Sequence, residues 1–196
     1  MPARFLYIHG FKSSPDSRKA QDFYAYCKKV LPEVEVIIPE LSFDPELAIT
    51  QLEEIIASNE VKLIVGSSLG GYFATWLSEK YNIRAVLINP AVAPHRNLNE
   101  SFLGLHTNMY TGQEFELTRE HVKFLETLET EGIKIPENFL VLLQTGDTVL
   151  DYRHAAEKYR HCQIHVYEGG DHSFTLFKEM LPTIVEFSGF STTNTQ

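Results

Sequence analysis

Cysteine is scarce: Cys27 and Cys162 are the only two in 196 residues. They cannot make a disulfide framework, so a reduced, cytoplasmic setting is expected. No apolar run approaches the ~18 residues of a membrane-spanning helix. Met1–Arg4 carries only a token basic region, and the apolar Phe5–Ile8 is too short for the core of an export signal. Positive charge is also scarce, with 17 Lys+Arg against 26 Asp+Glu and a net charge of −9. That balance argues against non-specific nucleic-acid binding, which needs a basic surface. Neither G-x-G-x-x-G nor G-x-x-x-x-G-K-[ST] occurs, so no nucleotide cofactor is expected. His161, Cys162 and His165 lie close in sequence, but their spacing fits no zinc pattern, and no metal is expected. Internal repeats and low-complexity blocks are missing as well.

What is present describes one domain. Hydrophobic residues make up 43% and charged residues 22%, as in globular chains. A chain of this length buries roughly 70% of the surface it exposes when unfolded. Six short apolar runs stand out: Phe5–His9, Val34–Ile38, Leu63–Gly66, Ala85–Asn89, Phe139–Gln144 and Gln163–Tyr167. They are nearly continuous rather than alternating, the mark of strands buried on both faces. The last is mixed and suits a sheet edge. Between them lie helical patterns at 17–31, 45–57, 69–81, 151–159 and 174–187. Asp44 is placed to cap the second of these, with Pro45 at its first position. Strand–helix alternation predicts an α/β fold, a three-layer αβα sandwich on a mostly parallel six-stranded sheet. One domain over 1–190 is expected, with 191–196 a polar, fraying tail.

The segment between Asn89 and Phe139 breaks the rhythm. Its 49 residues far exceed a simple crossover. Residues 95–117 read as irregular, and a helix follows with Thr118 as cap and Val122, Leu125 and Leu128 on its apolar side. The stretch 95–132 is therefore expected to be an insertion of the lid or binding-loop kind. Phe102, Leu103, Met109 and Tyr110 are its candidate substrate-binding residues.

Gly66-Ser67-Ser68-Leu69-Gly70 is a G-x-S-x-G sequence with a strand before it and a helix after it. That context is the nucleophile elbow, in which a sharp turn strains and exposes the serine, here Ser68. Gly66 and Gly70 stand where a Cβ would collide across the turn. Leu69 opens the helix, so its N–H is free to hold a developing oxyanion. Asp147 follows the Phe139–Leu143 run, at the strand end where open α/β sheets place their sites. It could hold a histidine in one tautomer. Asp151 is a rival four residues on, although its position suits a helix cap. His172 follows the last strand, behind Gly169-Gly170, and is the usual kind of base for activating a serine. The chain order Ser68…Asp147…His172 fits a hydrolase triad on an α/β sheet. After the first strand, His9-Gly10-Phe11 offers the Phe11 N–H as a second oxyanion donor. Lys12, Arg18 and Lys19 then read as a solvated loop and helix start. The alternative is that Lys12 or Arg18 meets an anionic substrate group.

These blocks together resemble the α/β-hydrolase superfamily, and within it the small bacterial YqiA-type serine esterases. The resemblance rests on Tyr7–Phe11 with Ser13–Pro15, Val65–Tyr72, Asn89–Val92, Tyr110–Gly112, Gln144–Asp147 with Val149–Tyr152, and Glu168–His172. It covers nearly the whole chain. It implies an esterase for short acyl esters or acyl thioesters, with a triad on Ser68, Asp147 and His172, oxyanion donors on Phe11 and Leu69, and no cofactor. It also implies a trimmed sheet, because the first two strands of the larger superfamily have no counterpart before His9-Gly10. Readings from other classes are a non-catalytic ligand-binding module of the same fold, and a lyase or perhydrolase built on the same elbow.

Overall fold

A computed structural model describes residues 2–98 and 100–191, so the expected tail lies outside the described residues beyond Ser191. The chain runs β1 (Arg4–Ile8), α1 (Arg18–Val30), β2 (Glu35–Ile37), α2 (Pro45–Ser58), β3 (Val61–Ser67), α3 (Leu69–Tyr81) and β4 (Arg84–Ile88). It continues through β5 (Gly104–Thr107), β6 (Glu114–Leu117), α4 (Arg119–Thr127), β7 (Phe139–Gln144), α5 (Tyr152–Lys158), β8 (Gln163–Tyr167) and α6 (Phe177–Ser188). The six expected strands form one sheet in the order β2-β1-β3-β4-β7-β8, and every neighbouring pair is parallel.

Burial explains the sequence of each strand. Phe5, Leu6, Ile8, Leu63, Ile64, Val65, Val86, Leu87 and Leu140–Leu142 are fully buried, because helices cover both faces of the central strands. The two edges, β2 and β8, are less buried. On one face, α1 and α6 pack Phe23, Cys27, Phe177 and Ile184 against Phe5, Val65 and Leu142. On the other, α2, α3 and α5 pack Leu52, Leu77 and Ala155 against Leu6, Ile64 and Val141. Asp44 caps α2 as expected, its carboxylate accepting from the Glu46 and Leu47 amides.

Strand order reverses between β1 and β3. The helix after β1 lies on one face and the helix after β3 on the other. A crevice therefore opens at the C-terminal ends of these two strands, the place where such sheets bind ligands.

Residues 95–117 are not irregular throughout. β5 and β6 form an antiparallel hairpin with Leu105 opposite Glu116 and His106 opposite Phe115. Period-two burial along β6, with Phe115 and Leu117 in and Glu114 and Glu116 out, is the strand signal at that point. The Asn108–Gln113 turn is held by Asn108, whose Oδ1 accepts from the Tyr110 and Thr111 amides. Its Nδ2 donates to Ser13 O, and Met109 N donates to Lys12 O. The hairpin is thereby fixed to the loop after β1. The final helix also begins at Phe177 rather than Phe174, because Phe174 adopts a φ of +60° and cannot continue a helix backward.

Candidate active site

Ser68 stands in the one-residue corner between β3 and α3, at φ 56° and ψ −121°. A non-glycine residue there is strained, and its neighbours over-determine it. Ser68 N donates to Ile88 O, while Ser68 O accepts from the amides of Gly71, Tyr72 and Ala91. A Cβ on Gly66 would lie 2.3 Å from Gly70 O, and one on Gly70 would lie 2.2 Å from Ile8 O. The first glycine clears the turn itself. The second lets α3 enter against the end of β1, a contact invisible in the local pattern.

Two further loops converge on Ser68. His172 Nε2 is 3.0 Å from Ser68 Oγ, and His172 Nδ1 is 2.7 Å from Asp147 Oδ2. The Asp147 side chain is 1% exposed and that of His172 is 27% exposed. Burial alone would raise the Asp147 pKa. The His172 hydrogen bond and the amides of Leu150 and Val149 outweigh it, holding the carboxyl below its ordinary value. An ionised carboxylate only accepts, so Nδ1 carries the ring proton and Nε2 is left to accept from the Ser68 hydroxyl. Asp151 points elsewhere. It caps α5 through the Arg153 amide and pairs with the Arg153 guanidinium.

The loops meet because the strand ends are tied together. Thr145 N donates to Tyr167 O and Gly146 N to Gly169 O, joining the loop of Asp147 to that of His172. Two buried amides, missed in the sequence reading, complete the tie. Asn89 Nδ2 donates to Asp171 O at 3.0 Å and to His172 O at 3.4 Å, and its Oδ1 accepts from Gln144 N. Gln144 Oε1 accepts from the Asp171 and Thr175 amides. The available signal was a polar side chain ending each of two apolar strands.

Phe11 follows Gly10, whose Cα backs onto Ser68; a Cβ there would be 3.1 Å from Ser68 Cβ. The Phe11 and Leu69 amides have no acceptor among the described residues. His9 is buried, with Nδ1 against Gly10 O, and burial pushes its pKa down. A cavity of about 670 Å³ takes in Ser68, His172, Phe11, Met109 and Tyr110. Phe102 and Leu103 are off its wall, because they stand at the base of the hairpin while Met109 and Tyr110 stand at its turn.

Comparison with known proteins places the chain. A family model described as uncharacterised protein family UPF0227 matches residues 4–189. Among solved structures, the chain is similar to mouse alpha/beta hydrolase domain-containing protein 10, with a TM-score of 0.72 at 15% identity over 93% of this chain and 88% of that one. Est1E from Butyrivibrio proteoclasticus, with ferulic acid bound, gives 0.70 at 13% identity over 94% and 87%. Monoacylglycerol lipase from Paleococcus ferrophilus gives 0.68 at 16% identity over 94% and 93%. At such identities the likeness is one of fold. The parallel sheet with an elbow after β3 is thus an α/β-hydrolase fold, and the chain belongs to the UPF0227 family.

Proposed function

We propose that this protein is a serine esterase working through an acyl-enzyme. The observation that carries the reading is the continuous contact Ser68 Oγ to His172 Nε2 to Asp147 Oδ2, at 3.0 and 2.7 Å, on a serine with left-handed φ. Ser68 Oγ attacks the acyl carbonyl while His172 Nε2 takes its proton. Asp147 orients the ring and stabilises the imidazolium. The oxyanion is held by the Phe11 and Leu69 amides, one such donor being worth roughly 10²–10³ in rate elsewhere. Collapse expels the alcohol, which leaves with the proton from His172. Water, activated by the same imidazole, then releases the acid and regenerates Ser68. Met109 and Tyr110 supply wall for the acyl group, and short acyl chains are the substrates the family resemblance implies. The domain over 1–190, with its insertion at 95–132, acts as one unit.

Single-turnover hydrolysis of a short-chain nitrophenyl ester, with intact-mass detection of the adduct, tests this. A burst and an acyl adduct in wild type, absent in Ser68→Ala, are expected. Equal turnover by both proteins, or no adduct in wild type, would sink the reading and favour a binding module that kept the fold. The same relay would open a thioester, so kcat/KM on a matched ester and thioester separates these two leaving groups.

A further inference from the structure

The proposed chemistry leaves part of the cavity unused. Beyond Ser68 and His172, its wall includes the first turn of α1 and the first three residues of α6, Phe177, Lys178 and Glu179. The chain carries a net charge of −9, yet this wall carries Lys12, Arg18, Lys19 and Lys178 against Asp22 and Glu179 alone. Asp22 is shared, 3.8 Å from Arg18 and 3.2 Å from Lys178. Lys19 has no carboxylate within ion-pair distance among the described residues. Its Nζ donates instead to Ser173 O at 2.8 Å, beside His172. The acids nearest in field are Asp171 and Asp147. Both are engaged, Asp171 by the Ser173 amide and hydroxyl and Asp147 by His172.

The first turn of α1 runs against the helix dipole, although Lys28 and Lys29 suit it in the last turn. α1 has no acidic residue in its first turn, and Arg18 and Lys19 occupy its first two positions. Cations there are unfavourable unless an anion joins them. Ser17 makes no cap bond, and the Arg18 and Lys19 amides have no acceptor among the described residues. Ser17 is only 7% exposed and Tyr7 only 1%. Both hydroxyls line the cavity without a hydrogen-bond partner among the described residues. Neither oxygen is among the fully buried partnerless atoms, so each is open to the cavity and free to bond a ligand there. Uncapped amides, the cations of this wall and two unpartnered hydroxyls are groups of the kind that bind an anion.

We infer that the N-terminal turn of α1, with Tyr7, Ser17, Arg18, Lys19 and Lys178, binds a phosphate or carboxylate carried by the substrate cleaved at Ser68. Only the word substrate rests on the esterase reading; the anion site rests on α1 and the cavity wall. Inorganic phosphate and acetate, titrated separately into the full-length wild type and Ser68→Ala, are the probes. The readout is the amide chemical shifts of Ser17, Arg18 and Lys19. Saturable shifts are expected in both proteins. Binding should weaken roughly tenfold in Lys19→Gln and in Arg18→Gln/Lys178→Gln, and tighten in Asp22→Asn. The exposed Arg18/Lys178 pair keeps the test decisive if Lys19→Gln does not fold. Esters that differ only in a neutral, carboxylate or phosphate terminus should show an anionic preference in kcat/KM that falls in the same variants. Stronger phosphate binding assigns a phosphate, stronger acetate binding a carboxylate, and either supports the site. No saturable shift in wild type, or shifts undiminished in both variants, overturns it. Anion binding without an acyl adduct would reject the esterase and keep the site; an adduct without anion binding would do the reverse.

Discussion

Asn89 follows β4 directly, with a φ of 39°, a conformation that costs an ordinary residue of order 1–3 kcal/mol. Asparagine takes this region more readily than most residues, and its amide joins Gln144 to the carbonyls of Asp171 and His172. It acts on the proposed chemistry through the position of the imidazole, not by touching substrate. Asn89→Leu should lower kcat by on the order of tenfold to a hundredfold with little change in KM, measured on the same nitrophenyl ester. A purely structural role would instead lower the active fraction, which burst amplitude reads separately. Asp147→Asn should cost roughly 10³–10⁴ in kcat, since an amide no longer enforces the tautomer that leaves Nε2 free. The same variant has a pH signature. A carboxyl held below its unfolded value, about 4, stabilises the fold above that pH and loses the contribution as pH falls through its depressed folded value. The Tm difference between wild type and Asp147→Asn should therefore narrow on acidification. A gap independent of pH would show that the native carboxylate contributes nothing through its charge.

At the scale of elements, the hairpin β5–β6 joins the insertion to the site. It is fixed to the loop after β1 through Asn108, Ser13, Met109 and Lys12. In β6, Phe115 stacks on Phe43 at 4.1 Å and makes a T-shaped contact with the Phe11 ring at 5.4 Å. The loop that supplies the Phe11 amide is thus braced by the insertion. Met109 and Tyr110 are the hairpin's contribution to the cavity wall. Replacing 108–113 by a two-residue turn should shift acyl-chain preference, read as the ratio of kcat/KM for short and medium nitrophenyl esters. An unchanged ratio would remove the hairpin from substrate selection. The hairpin escaped the sequence reading because its turn carries neither Asn-Gly nor Asp-Gly and its strands have four residues each. Longer, continuously apolar strands such as Phe139–Gln144 were legible because both faces are buried.

Over the whole molecule, burial is graded from the middle of the sheet outward. β1, β3, β4 and β7 lie inside, while β2, β8 and the hairpin lie at margins. Local opening follows buried apolar contact. Native-state hydrogen exchange should find amides of β3 and β4 protected to the global stability, with β2, β8 and β5–β6 exchanging earlier. Uniform protection across all strands would contradict that gradient. This layout also puts Ser68 and Asn89 just past the ends of the buried central strands β3 and β4, where the geometry of the elbow is held by the core.

The sequence by itself determined the six strands, the helices between them, the elbow at Ser68 and the order Ser68, Asp147, His172. Those features are local: burial on both faces demands continuous apolar runs, and the one-residue corner demands Gly66, although Gly70 answers to the end of β1 instead. The choice of Asp147 over Asp151 against His172 was legible only in part, because both follow the same strand and the cap role of Asp151 is a local signal. Only the tertiary structure decided which side chains meet at the C-terminal ends of the strands. The Asn89–Gln144 tie spans 55 residues, and the Lys19–Ser173 contact spans 154. Nothing in the neighbouring sequence requires those partners; the order of strands in the sheet brings them together.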